Sequence, residues 1–374
     1  MVKVVEVKTQ KQRKQFVEFP IKLYKGCPYF VPPLYGDEMA MFKKNYHYYE
    51  QCESIFFNAY DENNKMVGRI QGILQKASNA KWNQNRVRFT RFDSIDSEEV
   101  ANALFKAIEE WAKLKQMEEV VGPLGFSDLE REGLLIEGFD ELSTFEEQYN
   151  YDYYQRLIEN NGYVKEIDWV ERQLRTPNEK AERYQRISEM MLKKYNLHYG
   201  KAKNVNEFLK KYADGFFEIL DITYDKLYGT VPFTESMKKN LINSFKLIVK
   251  VDNVSVILDE NERIVAFALG FPSLSKALVG TNGKLTPRTL IKLLKAINHP
   301  KTVDLGLIGV LPEYANKGIS SAFIATIIEW LSSGKYEYAE TNLNLEDNVS
   351  VQNQWKAFDT RLHKRRRSFI KKIK

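Results

Sequence analysis

The stretch from residue 303 to residue 330, VDLGLIGVLPEYANKGISSAFIATIIEW, constrains the fold more than any other part of the sequence. Residues 303–310 are an apolar run bounded by a proline, which is typical of a buried strand. A short polar turn follows over 311–317, and residues 318–330 have apolar side chains at helical spacing. The first N–H groups of a helix have no intrahelical partners, and the helix dipole favours negative charge there. We therefore expect an anion-binding site where this helix begins.

Residues of the turn add to this predicted site. Gly318 has no side chain to keep a phosphate away from the backbone. Asn316, Lys317 and Ser320 supply further donors from their side chains. A plain strand–turn–helix crossover without a ligand is the alternative explanation of the same pattern.

The segment resembles motif A of the GNAT superfamily, the acyl-CoA N-acyltransferases, in which V-x-P-x-[YF]-[RQ]-x-x-G-[IL]-[GA] joins a strand to a helix. The matching residues are Val310, Pro312, Tyr314, Gly318, Ile319 and Ser320. Ala315 stands where Arg or Gln is usual, and Ser320 stands where Gly or Ala is usual. YYQRLIENNGYVK in the first half also looks like the closing helix and strand of this family. The whole chain resembles bacterial proteins with two GNAT-like halves.

The resemblance implies a cofactor and a set of residues that hold it. The cofactor is acetyl-CoA or another acyl-CoA, whose diphosphate lies at the start of the motif A helix. The implied CoA-binding residues are Gly309, Val310, Asn316, Lys317, Gly318, Ile319, Ser320 and Asn348. In the family a backbone N–H at the end of the strand meets the thioester oxygen, here that of Gly309 or Val310.

Transfer of an acyl group to an amine also needs a base and an acid. Glu340, in the strand predicted beside motif A, is the candidate base, and a solvated or ion-paired carboxylate is the alternative reading. The family acid is often a Tyr seven residues after an Asn that opens the next helix. Here Asn348 is followed at that distance by Trp355, whose indole N–H cannot give up a proton to a thiolate.

Two pairs of similar segments indicate an internal duplication. FFNAYDENNKMVGRIQGI at 56–73 aligns with VSVILDENERIVAFALGF at 254–271, and VANALFKAIEEW at 100–111 aligns with ISSAFIATIIEW at 319–330. We therefore predict an α/β protein with two tandem GNAT-like domains, 1–176 and 177–374, each a mixed sheet flanked by helices.

The second alignment predicts that the two domains differ. It sets Asp96, Ser97, Glu98 and Glu99 against residues 315–318. Each carboxylate would repel a diphosphate by about 1 kcal/mol at about 4 Å in water, and by more near a protein surface. We expect a degenerate first domain and a CoA site in the second only. Binding of a cationic or amino group by the first domain is the alternative.

Composition limits the class of protein and its partners. The chain has 374 residues and a net charge of +6, with two cysteines, Cys27 and Cys52, and four scattered histidines. These predict no disulfide framework, no metal site and a cytoplasmic location. No apolar run suggests a membrane span, and the first residues do not look like a signal peptide. The basic segment 363–374, HKRRRSFIKKIK, could touch nucleic acid, but we expect a solvated edge strand and no nucleic-acid partner.

Together these features predict an acyl-CoA-dependent N-acyltransferase that moves an acetyl or other acyl group to a small-molecule or peptide amine. One alternative is an aminoacyl-tRNA-dependent transferase of the peptidoglycan-bridge type, and another is a non-catalytic CoA-binding protein. The sequence indicates neither the acceptor nor the oligomeric state.

Overall fold

A computed structural model describes residues 1–175 and 181–373. The chain divides into two compact units by its internal contacts. Unit 1 contains Met1–Trp169, Leu274–Leu293 and Lys364–Lys374, and unit 2 contains Val170–Ser273 and Leu294–His363. The expected boundary between 176 and 177 lies outside the described residues and stays a prediction.

Residues 1–175 form, in order, β1 (Lys3–Glu6), α1 (Gln10–Leu23), α2 (Tyr35–Ala40), β2 (Cys52–Tyr60), β3 (Met66–Gln75), α3 (Lys76–Trp82), β4 (Arg86–Ser94), α4 (Glu98–Leu114), β5 (Glu119–Gly122), β6 (Leu134–Glu137), α5 (Tyr153–Asn160) and β7 (Val164–Arg175).

Residues 181–373 form α6 (Ala181–Lys194), β8 (His198–Tyr199), α7 (Val205–Tyr224), α8 (Glu235–Ile248), β9 (Val254–Leu258), β10 (Ile264–Pro272), α9 (Ser275–Leu278), α10 (Pro287–Asn298), β11 (Thr302–Val310), α11 (Ser320–Ser332), β12 (Tyr338–Thr341), β13 (Asn344–Leu345), α12 (Val349–Gln354) and β14 (Asp359–Lys372).

Unit 1 is built on the strand order β1-β2-β3-β4-β5. The pairs β1/β2, β2/β3 and β3/β4 are antiparallel, whereas β4 and β5 are parallel. Helix α4 covers the sheet because its apolar residues recur at helical spacing, and Leu104, Phe105 and Ile108 are fully buried in the core. Ser97 caps the helix, with its Oγ accepting from the N–H of Val100 at 3.4 Å.

Unit 2 repeats this plan with the order β8-β9-β10-β11-β12. The pairs β9/β10 and β10/β11 are antiparallel, and β11 and β12 are parallel. Helix α11 packs its apolar side into the core through Ala322, Phe323 and Ile328. The expected mixed α/β fold is thus confirmed in both units.

The aligned hairpins have the same turn. The Oδ1 atom of Asp61 accepts from the N–H groups of Asn63 and Lys65 at 3.0 and 2.8 Å. In the second hairpin the Oδ1 atom of Asp259 accepts from Asn261 and Arg263, both at 2.9 Å. An Asp that bonds the backbone two and four residues later explains why both copies keep this residue type in the turn.

The aligned helices contact the hairpins through the same residue pair. A Cβ atom added to Gly72 would lie 2.9 Å from the ring of Trp111, and one added to Gly270 would lie 3.2 Å from the ring of Trp330. Gly72 and Gly270 occupy one column of the first alignment, and Trp111 and Trp330 occupy one column of the second. The two sequence matches therefore describe one packed unit that occurs twice.

The strand beyond the parallel pair comes from the other half of the sequence in each unit. In unit 1 residues 369–372 of β14 pair antiparallel with β5. In unit 2 Leu174 and Gln173 of β7 pair antiparallel with Ala339 and Glu340 of β12. Each unit is thus completed by a strand that is distant in sequence.

The expected solvated edge strand at 363–374 is wrong. The strand β14 pairs with both β5 and β6, and the side chains of Lys364 and Arg366 are buried. Lys364 donates to the carbonyl of Leu142 at 3.2 Å, and Arg367 forms two bonds with Asp168 at 2.8 and 2.9 Å. Lys364, Arg366 and Arg367 are bonded inside unit 1 because this part of the strand is paired on both sides. Within the described residues no helix has the length and apolarity that a membrane span requires.

Candidate functional site

The strand β11 has one edge that β12 covers only in part. The parallel pairing joins Thr302–Leu305 to Tyr338–Thr341 and ends there, although β11 continues to Val310. On its other edge β11 is paired with β10 as far as Val310. The last residues of β11 therefore expose backbone groups towards the side from which β12 has separated.

Strand alternation decides which backbone groups face this edge. The N–H of Leu311 donates to the carbonyl of Val265 at 2.9 Å, so Leu311 and Gly309 point towards β10. Ile308 and Val310 therefore point to the opposite edge, where the N–H of Val310 has no acceptor among the described residues. Of the two residues that the sequence proposed as donors, only Val310 presents its N–H at this edge.

Gly309 is needed for packing. A Cβ atom at this position would lie 2.5 Å from the ring of Phe267 and 2.8 Å from Oγ1 of Thr223. Both distances are too short for any side chain. The glycine therefore lets β11 approach α7.

Tyr224, the last residue of α7, occupies part of the separated edge. Its hydroxyl donates to the carbonyl of Ile308 at 3.1 Å and accepts from the N–H of Ile308 at 3.2 Å. One hydroxyl thus satisfies both backbone groups that a further strand or an extended ligand would bond. Sequence reasoning missed Tyr224 because no spacing pattern links a helix end to a strand 84 residues later.

The turn after β11 brings backbone donors to the start of α11. Asn316 and Gly318 have positive φ angles of 59° and 75°, and α11 begins at Ser320. The N–H groups of Gly318, Ile319 and Ser320 have no protein acceptor in the described part of the chain. Unpaired N–H groups at a helix start are the donors that an anion needs.

Lys317 lies beside these donors. Its ammonium group is 5.1 Å from the ring centroids of both Tyr195 and Tyr314, and its side chain is exposed. Two aromatic faces hold the cation close to the turn. Exposed positive charge is therefore fixed next to the first turn of α11.

The backbone conformation gives a reason for glycine at position 318 that the sequence did not reveal. A Cβ atom there would contact Cγ and Sδ of Met191 in α6 at 3.4 and 3.5 Å. These are ordinary van der Waals distances, so the positive φ angle alone favours glycine, with or without a ligand. The hydroxyl of Ser321 donates to the carbonyl of Gly318 at 2.6 Å.

Asn348 and Trp355, the two positions compared with the family pattern, flank α12 and bond to nearby residues. The Oδ1 atom of Asn348 accepts from the N–H of Val351 at 3.2 Å and so caps α12. Trp355 is buried, and its indole N–H donates to Asn344 at 2.8 Å. The cap bond accounts for Asn348, and the indole is fixed in the core.

Glu340 is buried on β12, and its carboxylate lies 3.2 Å from Nε2 of His363. Asp304 on β11 is the registered neighbour of Glu340 and is buried as well. Ligand-type atoms of Glu171, Glu340 and His363 all lie within 4.8 Å of one another. Two carboxylates and an imidazole are ligand types that divalent metals such as zinc accept. The histidines looked scattered in sequence because strand pairing, and not helical spacing, assembles this cluster.

The corresponding backbone edge in unit 1 is bonded to tyrosines. The N–H of Ile95 donates to the carbonyl of Val67 at 3.0 Å, as that of Leu311 does to Val265, so Ser94 corresponds to Val310. The N–H of Ser94 donates to the hydroxyl of Tyr154 at 3.1 Å. The position whose N–H lacks a described acceptor in unit 2 is thus satisfied in unit 1.

The start of α4 is also occupied. Arg156 pairs with Asp96 and Glu98, and Glu99 accepts from the N–H of Val2 at 3.0 Å. With Ser97 as the cap, this helix start holds side chains of its own unit and carries three carboxylates.

Buried ions fill the space next to β4 where β5 has separated. The parallel pairing of β4 with β5 ends at Arg88, and Arg91 beyond it bonds Glu38 at 3.0 Å. Arg69 and Arg131 each lie 3.9 Å from the same carboxylate. Burial by itself would raise the pKa of Glu38, but the three arginines lower it to about 2.

Comparison with known proteins finds relatives over most of the chain. No family model matches the sequence. Protein YghO of Escherichia coli (strain K12) is 27% identical over 375 residues, covering 96% of this chain and 93% of that protein. The bacterial ceramide synthase of Caulobacter vibrioides (strain NA1000 / CB15N) is 25% identical over 322 residues, covering 83% of this chain and 81% of that protein.

A solved structure matches the whole fold. The tandem GNAT protein from the clavulanic acid biosynthesis pathway superposes with a TM-score of 0.58 at 9% identity, covering 100% of this chain and 99% of that chain. At this identity the match concerns the fold alone. The repeated α/β unit and this superposition together establish that the chain has the tandem GNAT fold.

Proposed function

We propose that the protein is an acyl-CoA-dependent N-acyltransferase and that only unit 2 binds CoA. The observation that carries this proposal is the difference between the two helix starts. The N–H groups of Gly318, Ile319 and Ser320 have no acceptor among the described residues, whereas the start of α4 is capped and surrounded by carboxylates.

Residues of unit 2 fit each polar part of an acyl-CoA. The first-turn N–H groups of α11 and the ammonium of Lys317 would bind the diphosphate. An anion at a helix start gains roughly 0.3 to 2 kcal/mol, and charged hydrogen bonds add about 1.5 to 3 kcal/mol each. The N–H of Val310 would orient the acyl carbonyl, because it faces the separated edge of β11. Bound acyl-CoA supplies an activated acyl group for transfer to nitrogen.

The buried pair of Glu340 and His363 is the candidate base. An amine attacks only after it has lost its proton, and a carboxylate beside an imidazole can take up that proton. Glu340 lies on β12, the strand from which the exposed edge of β11 separates. Nε2 of His363 lies 3.2 Å from the carboxylate, so either group of the pair can hold the proton.

The acceptor is proposed to be a small-molecule or peptide amine. One relative is named bacterial ceramide synthase, so amines found in ceramides belong in a first set of acceptors to be tried. Polyamines, amino acids and lysine peptides complete that set.

A non-catalytic CoA-binding protein is the second candidate. The buried indole of Trp355, which donates to Asn344, leaves the usual position of the acid without a group that can protonate a thiolate. A thiolate is a tolerable leaving group, so the loss of this acid does not exclude transfer.

Calorimetric titration with CoA and acetyl-CoA, followed by a thiol-release assay on the amine set, tests the proposal. We expect binding of both forms and amine-dependent thiol release. Glu340→Gln should reduce the rate of transfer by roughly 100-fold, because removal of a general base typically costs this much, while CoA affinity is kept. Glu337→Gln is the matched control, since this exposed carboxylate pairs with Lys301 and its change should leave the rate intact.

The outcomes separate the candidates. Binding without thiol release on any amine would favour the non-catalytic protein. No binding of either CoA form would overturn both proposals. Equal rates for Glu340→Gln and the unchanged protein would remove Glu340 from the mechanism but not the CoA site.

A further inference from the structure

Helix α10 has several exposed apolar side chains. Leu290, Ile291 and Leu294 are 44%, 68% and 58% exposed, and they lie three and four residues apart or adjacent, on one side of the helix. Thr289 is the one residue of α10 that is buried. By contrast, α4 buries seven residues, including Leu104, Phe105 and Ile108. These three apolar side chains of α10 are therefore exposed to solvent.

A row of cations runs beside this apolar side. Arg288, Lys292 and Lys295 follow one another at intervals of four and three residues, so they form a stripe on the neighbouring side of the helix. Lys250 bonds Asn298 at 3.3 Å and adds a further cation at the end of the helix.

No acidic residue offsets these cations in the surrounding sequence. Residues 263–303 contain no Asp or Glu. They contain seven basic residues. Arg263 and Lys301 are ion-paired with glutamates elsewhere in the chain, which leaves Lys276, Lys284, Arg288, Lys292 and Lys295. The whole chain has 56 basic and 50 acidic residues, so this stretch is far more basic than the chain as a whole. The partner of α10 should accordingly carry negative charge.

An anionic lipid surface satisfies both features at once. A helix that lies in the interface buries its apolar side at the acyl-chain boundary and keeps Lys and Arg near the phosphates. At 1.5 Å per residue, a helix of this length spans roughly 18 Å, which is too short to cross a hydrocarbon core of about 30 Å. A second copy of the chain fits less well, because pairing two such sides would bring two basic stripes together.

We propose that α10 binds the surface of membranes that contain anionic phospholipids. Leu290, Ile291 and Leu294 enter the acyl-chain boundary, and Arg288, Lys292 and Lys295 contact the phosphates. Leu285, which is 53% exposed and precedes the helix, extends the apolar side. The proposal does not depend on acyltransferase activity.

Vesicle flotation tests it with the full-length protein. The probes are vesicles of phosphatidylcholine alone and of phosphatidylcholine with phosphatidylglycerol. The unchanged protein should float with the anionic vesicles and stay mostly free of the neutral ones. The triple variant Leu290→Gln, Ile291→Gln, Leu294→Gln should bind at least about tenfold more weakly, because three inserted aliphatic side chains are lost. Because all three side chains are exposed, the variant should fold normally, which a thermal melt checks.

Two further variants separate charge from apolar contact. Lys292→Gln with Lys295→Gln should weaken binding to anionic vesicles by roughly tenfold or more and reduce its salt dependence. Leu114→Gln is the matched control, since Leu114 is 82% exposed on a different helix and its change should have no effect.

Three results would overturn the proposal. One is failure of the unchanged protein to float with anionic vesicles. Another is equal flotation of the unchanged protein and the triple variant. The third is a dimer by light scattering that the triple variant converts to a monomer without any vesicle binding, which would assign the apolar side to a second copy.

Discussion

Helices α4 and α11 both begin after a strand and a turn, but the acceptors around their first N–H groups differ. At α4, Ser97 caps the helix, Arg156 ties Asp96 and Glu98, and Tyr154 takes the N–H of Ser94. At α11 the first N–H groups have no acceptor among the described residues, and Lys317 lies beside them. A few side chains can thus occupy the backbone donors of a helix start without changing the fold around it.

The separated strands next to these helices differ in the same way. In unit 1 the space beside β4 holds Glu38 and three arginines in a buried ionic cluster. In unit 2 the hydroxyl of Tyr224 bonds the exposed edge of β11 at Ile308. A cluster of charges is costly to displace, whereas one neutral hydroxyl is not. The following variants test this contrast, in order of decreasing effect.

Glu38→Gln should destabilise the protein by roughly 3 to 5 kcal/mol, because it leaves buried arginines without their carboxylate. The pKa of Glu38 is lowered to about 2, below its ordinary value of 4.5. The stabilisation is therefore complete above about pH 4.5 and is lost as the pH falls towards 2. Urea unfolding of both proteins over this pH range measures it, with exposed Glu99→Gln as the control. Equal stabilities at neutral pH would mean that the cluster does not hold unit 1 together.

Gly318→Asp should weaken CoA binding at least tenfold, which corresponds to about 1.4 kcal/mol. The new carboxylate would stand next to the proposed diphosphate site, and the positive φ angle of 75° adds strain. Gly318→Asn is the matched control, because Asn has the same shape, carries no charge and tolerates this backbone conformation. Calorimetric titration should show a much smaller loss for Asn than for Asp. Equal losses would assign the effect to backbone strain at this position and not to charge.

Tyr224→Phe should tighten CoA binding by about threefold, since one net hydrogen bond of roughly 0.5 to 1.5 kcal/mol no longer competes for Ile308. Tyr212→Phe is the control on the same helix, because its hydroxyl bonds the backbone of Lys201 at 3.1 Å. Calorimetric titration with CoA measures the affinity of both variants. Weaker binding by Tyr224→Phe would show that the hydroxyl belongs to the binding site.

Glu99→Lys should change CoA affinity by less than about twofold, since surface charges contribute little beyond their own neighbourhood. Glu99 bonds the N–H of Val2 at the start of α4, and unit 2 alone is proposed to hold CoA. The same titration measures this variant. A loss for Glu99→Lys and none for Gly318→Asp would move the cofactor to unit 1.

The local part of this architecture could be predicted from sequence. The strand, turn and helix around Gly318 follow from apolar spacing, and the duplication follows from two aligned segments, whose paired glycine and tryptophan then met in the structure. The direction of backbone groups and the contacts between strands depend on strand register, which residue spacing does not reveal. It directs the N–H of Val310 and not that of Gly309 to the exposed edge, and it places His363 against Glu340.

The contacts of Tyr224 and of β14 were out of reach for a related reason. Each joins residues far apart in sequence, and neither carries a local pattern. Lysines and arginines in a strand usually indicate solvent, yet Arg366 is fully buried because its neighbours provide carbonyl and carboxylate partners.

Each unit is completed by a strand from the other half of the sequence, and this affects folding during synthesis. Strand β5 ends at Gly122, but the strand that pairs with it lies at 369–372, about 250 residues later. At roughly 5 to 20 residues per second, the ribosome needs about 12 to 50 s to make that distance. During this interval the nascent first unit has an open strand edge, which is a template for pairing with other chains. Folding of unit 1 therefore cannot be completed before β14 has been synthesised, and gene fragments cut between the halves would each lack the strand that closes their sheet.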